Sequence, residues 1–422
     1  MIKGIKMNVI NKGFSVGNVL FWENEYQDIP QQTILIIGQY YNPDFFIKKI
    51  SNIVGIITTN DSRTSHCAIL AVAFDIPIIY MPEEEISKLS KQGRCCINAI
   101  DETCSIEFCD DSDRFNELND FYIEYKNKKV AELDTIPQDV ENPYGGNIDI
   151  YANLFLSEES ERAKAVKANG VGVFRTEFLF TQENELPSEE LQFRKYKEVI
   201  ESFPDKPVVI RTIDIGGDKS IEYLNIDTET NPFLGCRGIR YSLKNEEVLK
   251  TQIRAILRAS YFGKVRVLLP MVSYAGEVKK IRQLINSTKQ ELINEGYDVG
   301  VVKLGIMIEV PSAAYAIKTF QNLVDFISIG TNDLIQYFFA CDRTNKNVSH
   351  IPMQAIGLVM DLIKNIIIES HKYSMKCCVC GELAGQEEYI DKLLSYGVDS
   401  LSVSVPLVAK VKRVIKQIGA EK

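Results

Sequence analysis

The sequence lacks most of the features that would place it in a specialised class. Its net charge is −9, so nonspecific binding to nucleic acid is not expected. Residues 1–13 are polar, and no apolar run reaches the length of a membrane-spanning helix. Its ten cysteines are too few for a disulfide framework in 422 residues, and no Cys/His set at zinc spacing accompanies the cluster at 377–380. We therefore expect a cytoplasmic protein with reduced thiols that binds neither nucleic acid nor a membrane.

Histidine is also scarce, with three residues in the chain, and one of them has a distinctive setting. His66 follows a short apolar run at 54–57 that predicts a buried strand. Thr64 or Ser65 can cap the next helix, which would place His66 in its first turn. Such a helix end carries about half a positive charge and free N–H donors, which suit a phosphoryl group. A histidine that only packs near a helix start would have the same local sequence.

The first third of the chain predicts one domain and a connection. Residues 1–110 alternate short strands with short helices, including a helix at 43–50, and predict a compact α/β domain that presents His66. Residues 111–134 place apolar side chains at helical spacing among charges, which predicts one amphipathic helix. We interpret 111–140 as a helical linker, although a terminal helix of the first domain fits the same pattern.

Regular strands follow in residues 141–422. Helical patterns, such as those at 246–261 and 274–294, separate most of them. Eight strands with intervening helices predict a (β/α)8 TIM-like barrel, and a doubly wound sheet is the competing fold. Polar residues recur just after the strands, which favours the barrel, because that edge is the catalytic face of such barrels. The strands are predicted at 148–153, 171–174, 208–210, 265–269, 304–308, 326–329, 377–379 and 401–405.

Arginine dominates the polar residues near these strand ends. Arg175, Arg211, Arg237 and Arg343 all follow predicted strands or lie in the loops after them. Guanidinium forks match the geometry of phosphate and carboxylate groups. A surface ion pair would explain one such arginine, but the set predicts a ligand that bears both kinds of anion.

Two acids and one cysteine complete this edge. Glu309 and Asp333 end adjacent strands, and two carboxylates together with ligand oxygens are a usual way to hold Mg2+. Cys380 ends the next predicted strand. A lone cysteine is often a small core residue, but at a barrel mouth beside a metal and arginines it can also donate a proton.

At these residues the sequence resembles enzyme I of the phosphoenolpyruvate-dependent phosphotransferase system, a sugar-transport system. The resemblance covers nearly the whole chain and is strongest between residues 170 and 390. It rests on long strings, which are Thr-Ser-His at 64–66, Phe-Arg-Thr-Glu-Phe-Leu-Phe at 174–180, Arg-Thr-Ile-Asp-Ile-Gly-Gly-Asp-Lys at 211–219, the segment 231–240, Ile-Gly-Thr-Asn-Asp-Leu at 329–334 and Cys-Gly-Glu-Leu-Ala-Gly at 380–385.

The resemblance implies a role for each matching position. The first domain would be a swivelling phosphohistidine domain, in which His66 accepts the phosphoryl group of phosphoenolpyruvate (PEP). Cys380 would then protonate the enolate carbon to give pyruvate. Mg2+ would be the cofactor, and a homodimer through the barrel is compatible with the resemblance. PEP would be bound by Arg175, Arg211, Arg237, Asn332 and Arg343, with Mg2+ held by Glu309 and Asp333.

One departure leaves the phosphoryl acceptor open. The family carries a helical subdomain that docks the histidine-containing phosphocarrier protein, but here few residues separate the predicted strands at 13–21 and 34–37. The first hypothesis is therefore a PEP-dependent phosphotransferase that passes the group to an unidentified protein. The alternatives are a PEP-binding regulatory protein with reduced turnover and a phosphotransferase that serves a small molecule.

Overall fold

The computed structural model describes most of the chain in two compact units, Met1–Thr135 and Ile136–Lys422, which are taken separately here. The described residues are 7–23, 28–38, 49–60, 66–87, 89, 93–101, 103–109, 111–181, 185–216, 222–224, 229–343, 345 and 347–422.

The first unit contains a seven-stranded mixed sheet in the order β1-β5-β4-β3-β2-β6-β7. The central strands β2, β3, β4 and β5 run parallel, and β1, β6 and β7 are antiparallel to their neighbours. The central strands are short apolar segments buried along most of their length, as expected for strands covered on both faces. Their bounds are β1 Asn8–Asn11, β2 Gly13–Phe21, β3 Thr33–Ile37, β4 Ile53–Thr58, β5 Ile78–Tyr80, β6 Arg94–Ala99 and β7 Ser105–Phe108.

Three described α-helices accompany this sheet, namely α1 His66–Ala73, α2 Glu83–Ile86 and α3 Ser112–Asp134, together with the 3-10 helix Ile50–Asn52. Most of the predicted helix at 43–50 lies outside the described residues.

The long helix α3 packs against the sheet of the first unit. The Asp111 side chain caps it by accepting a hydrogen bond from the N–H of Asp113 at 3.0 Å. Its Tyr122 is buried in a cluster with Phe14 and Val16 of β2. The apolar residues that predicted an amphipathic helix therefore form the face of α3 that packs against β2. The boundaries of a separate linker stay a prediction.

The second unit is a closed parallel barrel. Strands β9 to β16 follow one another around it in chain order, and β10 also pairs with β9, which closes the ring. This closure excludes the doubly wound alternative and confirms the predicted (β/α)8 fold. A short strand, β8 Val140–Glu141, pairs antiparallel with β9. The barrel strands are β9 Asn147–Leu154, β10 Val171–Arg175, β11 Pro207–Arg211, β12 Lys264–Leu269, β13 Val302–Ile308, β14 Phe326–Gly330, β15 Lys376–Cys380 and β16 Ser400–Ser404.

Helices surround the barrel and present their apolar stripes to the strands. In α8, for example, Leu249, Gln252, Ile253 and Ile256 are buried at helical spacing. The described helices are α4 Ser160–Ala165, α5 Glu177–Thr181, α6 Glu189–Ser202, α7 Ile239–Lys244, α8 Glu246–Ala259, α9 Ala275–Asn294, α10 Pro311–Tyr315, α11 Thr331–Phe339, α12 Ile351–Gln354, α13 Ile356–Lys372, α14 Glu387–Ser395 and α15 Val405–Glu421. Among the described residues, no helix has both the length and the apolar character needed to cross a membrane.

One apolar cluster within the barrel includes Cys380. It is made of buried side chains from six different strands, namely Val173, Val209, Leu268, Met307, Phe326 and Cys380. Because the strands are parallel and in register, their carboxyl ends meet at one rim, the barrel mouth. Cys380 is the last residue of β15 and so lies at the mouth end of this cluster.

Candidate active site

The mouth of the barrel carries the residues that the sequence singled out. β10 ends at Arg175 and β11 ends at Arg211. Glu309 follows β13 directly, and α11, which begins where β14 ends, contains Asn332 and Asp333. The parallel topology brings together side chains that are far apart in sequence.

Arg211 is held at the mouth by two carboxylates. Its Nη2 donates to Oε1 of Glu177 at 2.8 Å, and its Nη1 lies 3.2 Å from Oδ2 of Asp214. Burial works against its charge, but the two carboxylates outweigh it and raise the pKa of Arg211. Its buried Nε has no hydrogen-bond partner among the described residues. The guanidinium is therefore charged and fixed in orientation.

Arg237 bridges two carboxylates from different loops. It donates to both oxygens of Asp214 and to both oxygens of Asp333, with distances of 3.0 to 3.1 Å. The side chain is 1% exposed, and the two carboxylates raise its pKa against the effect of burial. The sequence predicted Arg237 as a PEP ligand, and that assignment stays a prediction. Its guanidinium is engaged by protein carboxylates here.

The other two arginines differ in exposure. Arg343 is the more open one, and its Nη1 lies 3.6 Å from Oδ1 of Asp333. Arg175 is half-buried and stacks over the ring of Phe155 at 4.7 Å. Burial and the neighbouring charge of Arg211 lower the pKa of Arg175. Two cations that repel each other at one rim form a site that an anion would stabilise.

Glu309 and Asp333 are buried acids whose surroundings shift their pKa values in opposite directions. Burial raises the pKa of Glu309, and the nearby charges of Asp333 and Asp214 raise it further. Oε1 of Glu309 accepts a hydrogen bond from the N–H of Met271 at 2.6 Å. Burial also acts to raise the pKa of Asp333, but Arg237 and Arg343 outweigh it, and the pKa lies below its ordinary value.

These acids fit a divalent cation that takes part of its coordination from the substrate. Both supply hard carboxylate oxygens, the donor type that Mg2+ prefers. A cation between them would relieve the repulsion that raises the pKa of Glu309. Within the part of the chain that the structure describes, no cluster of three or more His, Cys, Asp or Glu side chains forms a complete metal cage. The remaining ligands would have to be oxygens of substrate or water.

Cys380 is the remaining predicted residue at this rim. It is 4% exposed, and burial raises the pKa of its thiol. The charges of Arg175 and Arg211 act on it in the opposite direction, which places it within their electrostatic reach. A buried cysteine that keeps its proton beside two arginines is chemically suited to donate a proton to an anionic ligand.

Two family profiles match this chain. The PEP-utilising enzyme, PEP-binding domain matches residues 127–420, which include the whole barrel. The PEP-utilising enzyme, mobile domain matches residues 29–100, which include His66. This chain belongs to the PEP-utilising enzymes. The match confirms the resemblance that the strand-end motifs indicated.

Several curated relatives of this PEP-utilising enzyme are phosphoenolpyruvate-protein phosphotransferases. The protein from Haemophilus influenzae is 37% identical over 93% of this chain and 68% of its own length. The protein from Staphylococcus aureus strain MRSA252 is 35% identical over 92% of this chain and 68% of its own length. That from Enterococcus faecalis is 36% identical, and the match covers 64% of its length. This PEP-utilising enzyme therefore spans about two thirds of the length of these longer relatives.

One solved structure overlaps part of this chain. A citrate lyase from Burkholderia xenovorans LB400 overlaps 39% of this chain with a TM-score of 0.32 and 16% sequence identity. That score is too low to support an argument.

The first unit of this PEP-utilising enzyme provides the predicted phosphoryl acceptor. Helix α1 begins at His66, so this residue occupies the helix start that the sequence predicted. Residues 61–65, which include the proposed capping residues Thr64 and Ser65, lie outside the described part of the chain. The assignment of His66 as the phosphorylated residue stays a prediction.

Asn332 of the PEP-utilising enzyme is oriented by a residue to which the sequence gave no role. Its Oδ1 accepts from the N–H of Glu382 at 3.0 Å, and its Nδ2 lies 3.3 Å from Oε1 of the same glutamate. The two contacts fix which side of the Asn332 amide carries the oxygen. Glu382 lies two residues after Cys380, so the loop after β15 links the predicted proton donor to Asn332.

Gln252 is a buried positioning residue that sequence reasoning missed. From α8 it accepts a hydrogen bond from the N–H of Ile213 at 2.9 Å and donates to Oγ1 of Thr176 at 3.1 Å. It thereby ties together the segments that follow Arg175 and Arg211. A signal was present, because an amide occupies the otherwise apolar stripe of α8. A polar residue in a core stripe needs partners.

Tyr337 is a second missed residue. Its hydroxyl donates to the carbonyl of Phe233 at 2.6 Å and accepts from Nη1 of Arg237 at 3.3 Å. The contacts join helix α11 to the loop that carries Arg237. Tyr337 lies one helical turn after Asp333, and that spacing was its only signal in the sequence.

Proposed function

We propose that this chain transfers the phosphoryl group of PEP to His66, releases pyruvate, and then passes the group to a protein acceptor. It is an enzyme, and PEP-dependent phosphoryl transfer is the activity after which its curated relatives are named. The observation that carries the proposal is the convergence of Arg175, Arg211, Glu309 and Asp333 at one rim of a PEP-binding barrel.

The arginines would bind the anionic substrate at the mouth. Arg175 lacks the carboxylate balance that Arg211 and Arg237 have, because burial and the neighbouring charge of Arg211 lower its pKa. An arriving phosphate or carboxylate would offset both effects. Arg343 and Asn332 lie at the more open part of the rim and would contact the same substrate. Positioning and charge neutralisation of this kind supply most of the catalysis in phosphoryl transfer.

Glu309 and Asp333 would hold the divalent ion, for which we propose Mg2+. When bound, the ion neutralises charge on the substrate oxygens. The protein contributes the rigid placement of both carboxylates, through Met271 for Glu309 and through Arg237 for Asp333. Cys380 would then give its thiol proton to the enolate carbon and complete pyruvate.

The phosphoryl acceptor differs from that of the longer relatives if docking needs an inserted subdomain. Only residues 22–32 connect β2 to β3, the point at which the family carries its phosphocarrier-binding helices. A specific protein interface needs about 800 Å2 on each partner, which so short a segment does not provide on its own. We therefore propose that transfer to the usual phosphocarrier is weak unless another chain supplies the docking surface.

The test is to incubate the chain with radiolabelled PEP and Mg2+ and to follow both label and pyruvate. We expect an acid-labile, base-stable label and stoichiometric pyruvate, and we expect the label to disappear in His66→Ala. His371→Ala is the matched control, because His371 pairs with Asp399 at 2.8 Å. Label that persists in His66→Ala would overturn the assignment.

The same experiment separates the alternatives. A PEP-binding regulatory protein would bind PEP without releasing pyruvate. Label that leaves the protein for a small molecule rather than for a candidate carrier protein would favour the small-molecule acceptor. A role in sugar transport and a homodimer through the barrel stay predictions that rest on the resemblance. A cytoplasmic location stays a prediction that rests first on the composition of the sequence.

A further inference from the structure

The hydroxyl of Ser328 lies in a part of the barrel that is otherwise mainly apolar. Ser328 is in the middle of β14 and is 1% exposed. Phe326, two residues earlier on the same strand, belongs to the apolar cluster inside the barrel. Side chains two residues apart point to the same side of a strand, so Ser328 faces the barrel interior as well. A hydroxyl in such a place costs stability unless it is hydrogen-bonded.

The partner of Ser328 is the sulfur of Cys380. Oγ of Ser328 donates to Sγ of Cys380 at 3.2 Å, and Sγ of Cys380 in turn donates to the carbonyl of Ile329 at 3.3 Å. The thiol is therefore held from two sides by neighbouring residues of β14. The hydrogen bond from Ser328 acts to lower the pKa of Cys380 and also that of Cys378, although burial raises both.

We propose that Ser328 is the positioning residue for proton donation by Cys380, orienting the thiol and stabilising the thiolate that remains after the proton has left. The inference rests on the proposed function, in which Cys380 protonates the enolate. No residue other than Cys380 needs to touch the substrate carbon for this step. Ser328 acts through the sulfur.

The proton transfer balances as follows. The S–H bond of Cys380 breaks, and its electron pair stays on the sulfur. The proton bonds to the methylene carbon of the enolate through the carbon–carbon π pair, and the enolate oxygen becomes the ketone oxygen of pyruvate. The thiolate keeps the hydrogen bond that the hydroxyl of Ser328 donates to its sulfur. A proton from water then restores the thiol before the next turnover.

The two contacts of the thiol have opposite effects. The carbonyl of Ile329 favours the thiol, because a thiolate cannot donate to it and would face its negative end. The hydroxyl of Ser328 favours the thiolate, because a hydrogen bond strengthens when its acceptor is charged. Without Ser328, the charges of Arg175 and Arg211 would still act to stabilise the buried thiolate. Those arginines also serve the substrate in the proposed function.

The experiment compares Ser328→Ala with Ser328→Thr and with Cys380→Ala. Stereospecifically 3-deuterated PEP is turned over in tritiated water, and the chirality of the pyruvate methyl group is measured together with single-turnover rates. For Ser328→Ala we expect label transfer to His66 within about twofold of wild type. We expect pyruvate formation to slow by about 10- to 100-fold, the loss that one hydrogen bond to a charged group implies. Part of the methyl chirality should be lost, because enolpyruvate that escapes is protonated in solution without facial preference.

The controls separate this inference from a loss of packing. Ser328→Thr keeps the hydroxyl and should restore chirality. Ser402→Ala removes another buried barrel hydroxyl, one that donates to Oδ1 of Asn153 at 2.5 Å, and should leave chirality unchanged. If Ser328→Ala does not fold, Ser328→Cys replaces it, because a thiol is a weaker donor of similar size, and should lose part of the chirality.

Two results would overturn separate statements. Full chirality and a normal rate of pyruvate formation in Ser328→Ala, with both lost in Cys380→Ala, would refute the role of Ser328 and leave that of Cys380 standing. Full chirality in Cys380→Ala would refute the proposed proton donor itself.

Discussion

The two units of the chain differ in what they bury. In the described residues of the first unit, the buried polar side chains are the hydroxyls of Ser15, Thr33 and Thr58, and no buried side chain is charged. Among its own described residues, the barrel buries nine acidic or basic side chains, which are Glu159, Glu177, Arg211, Asp214, Arg237, Glu277, Glu309, Asp333 and Lys412.

The difference indicates a division of labour. Burying a charge is costly unless it is paired, so a cluster of buried charges persists only where pairing or function stabilises it. Five of the nine form one network of ion pairs at the mouth through Asp214 and Arg237. A sixth, Glu309, lies within the electrostatic reach of the same network. The first unit needs no such network, because its predicted task is to present one histidine, His66, at the start of helix α1. In the proposed function, substrate binding and charge neutralisation are assigned to the barrel.

The largest effect should follow from removing a carboxylate of the proposed metal site. Asp333→Asn should lower single-turnover label transfer to His66 by about 10^3-fold or more, because the metal supplies several kcal/mol of charge stabilisation. Chelation of the wild type should have the same effect and should be reversed by Mg2+. Asp399→Asn is the matched control, because its carboxylate accepts from the N–H of Cys377 at the other end of β15. Full activity in chelator would refute the site.

Breaking the buried ion bridge should produce the largest loss of stability. Arg237→Met leaves two buried carboxylates without their shared partner and should lower the free energy of unfolding of the barrel by about 3–5 kcal/mol. Lys250→Met removes a partly exposed pair with Glu291, at 2.9 Å, and should leave the stability of the barrel nearly unchanged. The measurement is urea unfolding with hydrogen exchange read on barrel peptides. Equal losses in the two variants would contradict the contrast.

Lys412 makes the stability of the barrel depend on pH. It lies at the end of the barrel opposite the mouth. Its Nζ donates to the carbonyls of Gln138 and Lys167 at 2.6 Å each, and to that of Pro137 at 3.3 Å. Burial lowers the pKa of Lys412 to about 8, against an ordinary 10.5. Between these values the unfolded chain binds more protons, so the stability contributed at this site rises with pH from 8 to 10.5.

The rise should amount to roughly 2–3 kcal/mol. Lys412→Met should remove it, so the difference in unfolding free energy between variant and wild type should change across this range and stay constant below pH 8. Unfolding in reductant at several pH values measures it. A difference that does not vary with pH would show that the three carbonyls hold the charge and that burial does not lower the pKa.

The smallest effects should distinguish a positioning role in the barrel from plain packing in the first unit. Gln252→Leu removes the hydrogen bonds to Ile213 and Thr176 and should raise the KM for PEP by about tenfold. Ile97→Val trims a fully buried residue of the first unit and should cost about 1 kcal/mol of stability without changing PEP binding. Steady-state kinetics with PEP measures the KM of both variants, and urea unfolding measures the stability of Ile97→Val. An unchanged affinity in Gln252→Leu would mean that the amide only packs.

Much of the fold could be predicted from the sequence. Each predicted barrel strand lies on or within one residue of an observed strand, because a strand buried on both faces is a continuous apolar run. The strand-end residues followed from the same runs. The roles of Gln252, Tyr337 and Glu382 were not predicted, because each depends on a partner from another segment of the chain. For residues 111–140 the sequence left two interpretations open, a helical linker and a terminal helix of the first domain, and only the fold shows that α3 packs on the first sheet through Tyr122.

The sequence by itself determined the order of strands and helices, the family, and the residue types at the strand ends, because these depend on local periodicity and on contiguous motifs. The tertiary structure decided how those residues are used. Closure of β9 on β10 made one rim out of eight strand ends. It placed Arg237 within hydrogen-bonding distance of two carboxylates, and Ser328 within hydrogen-bonding distance of the sulfur of Cys380. Hydrogen bonds are made or lost within a few tenths of an ångström, and only the assembled barrel fixes distances at that scale.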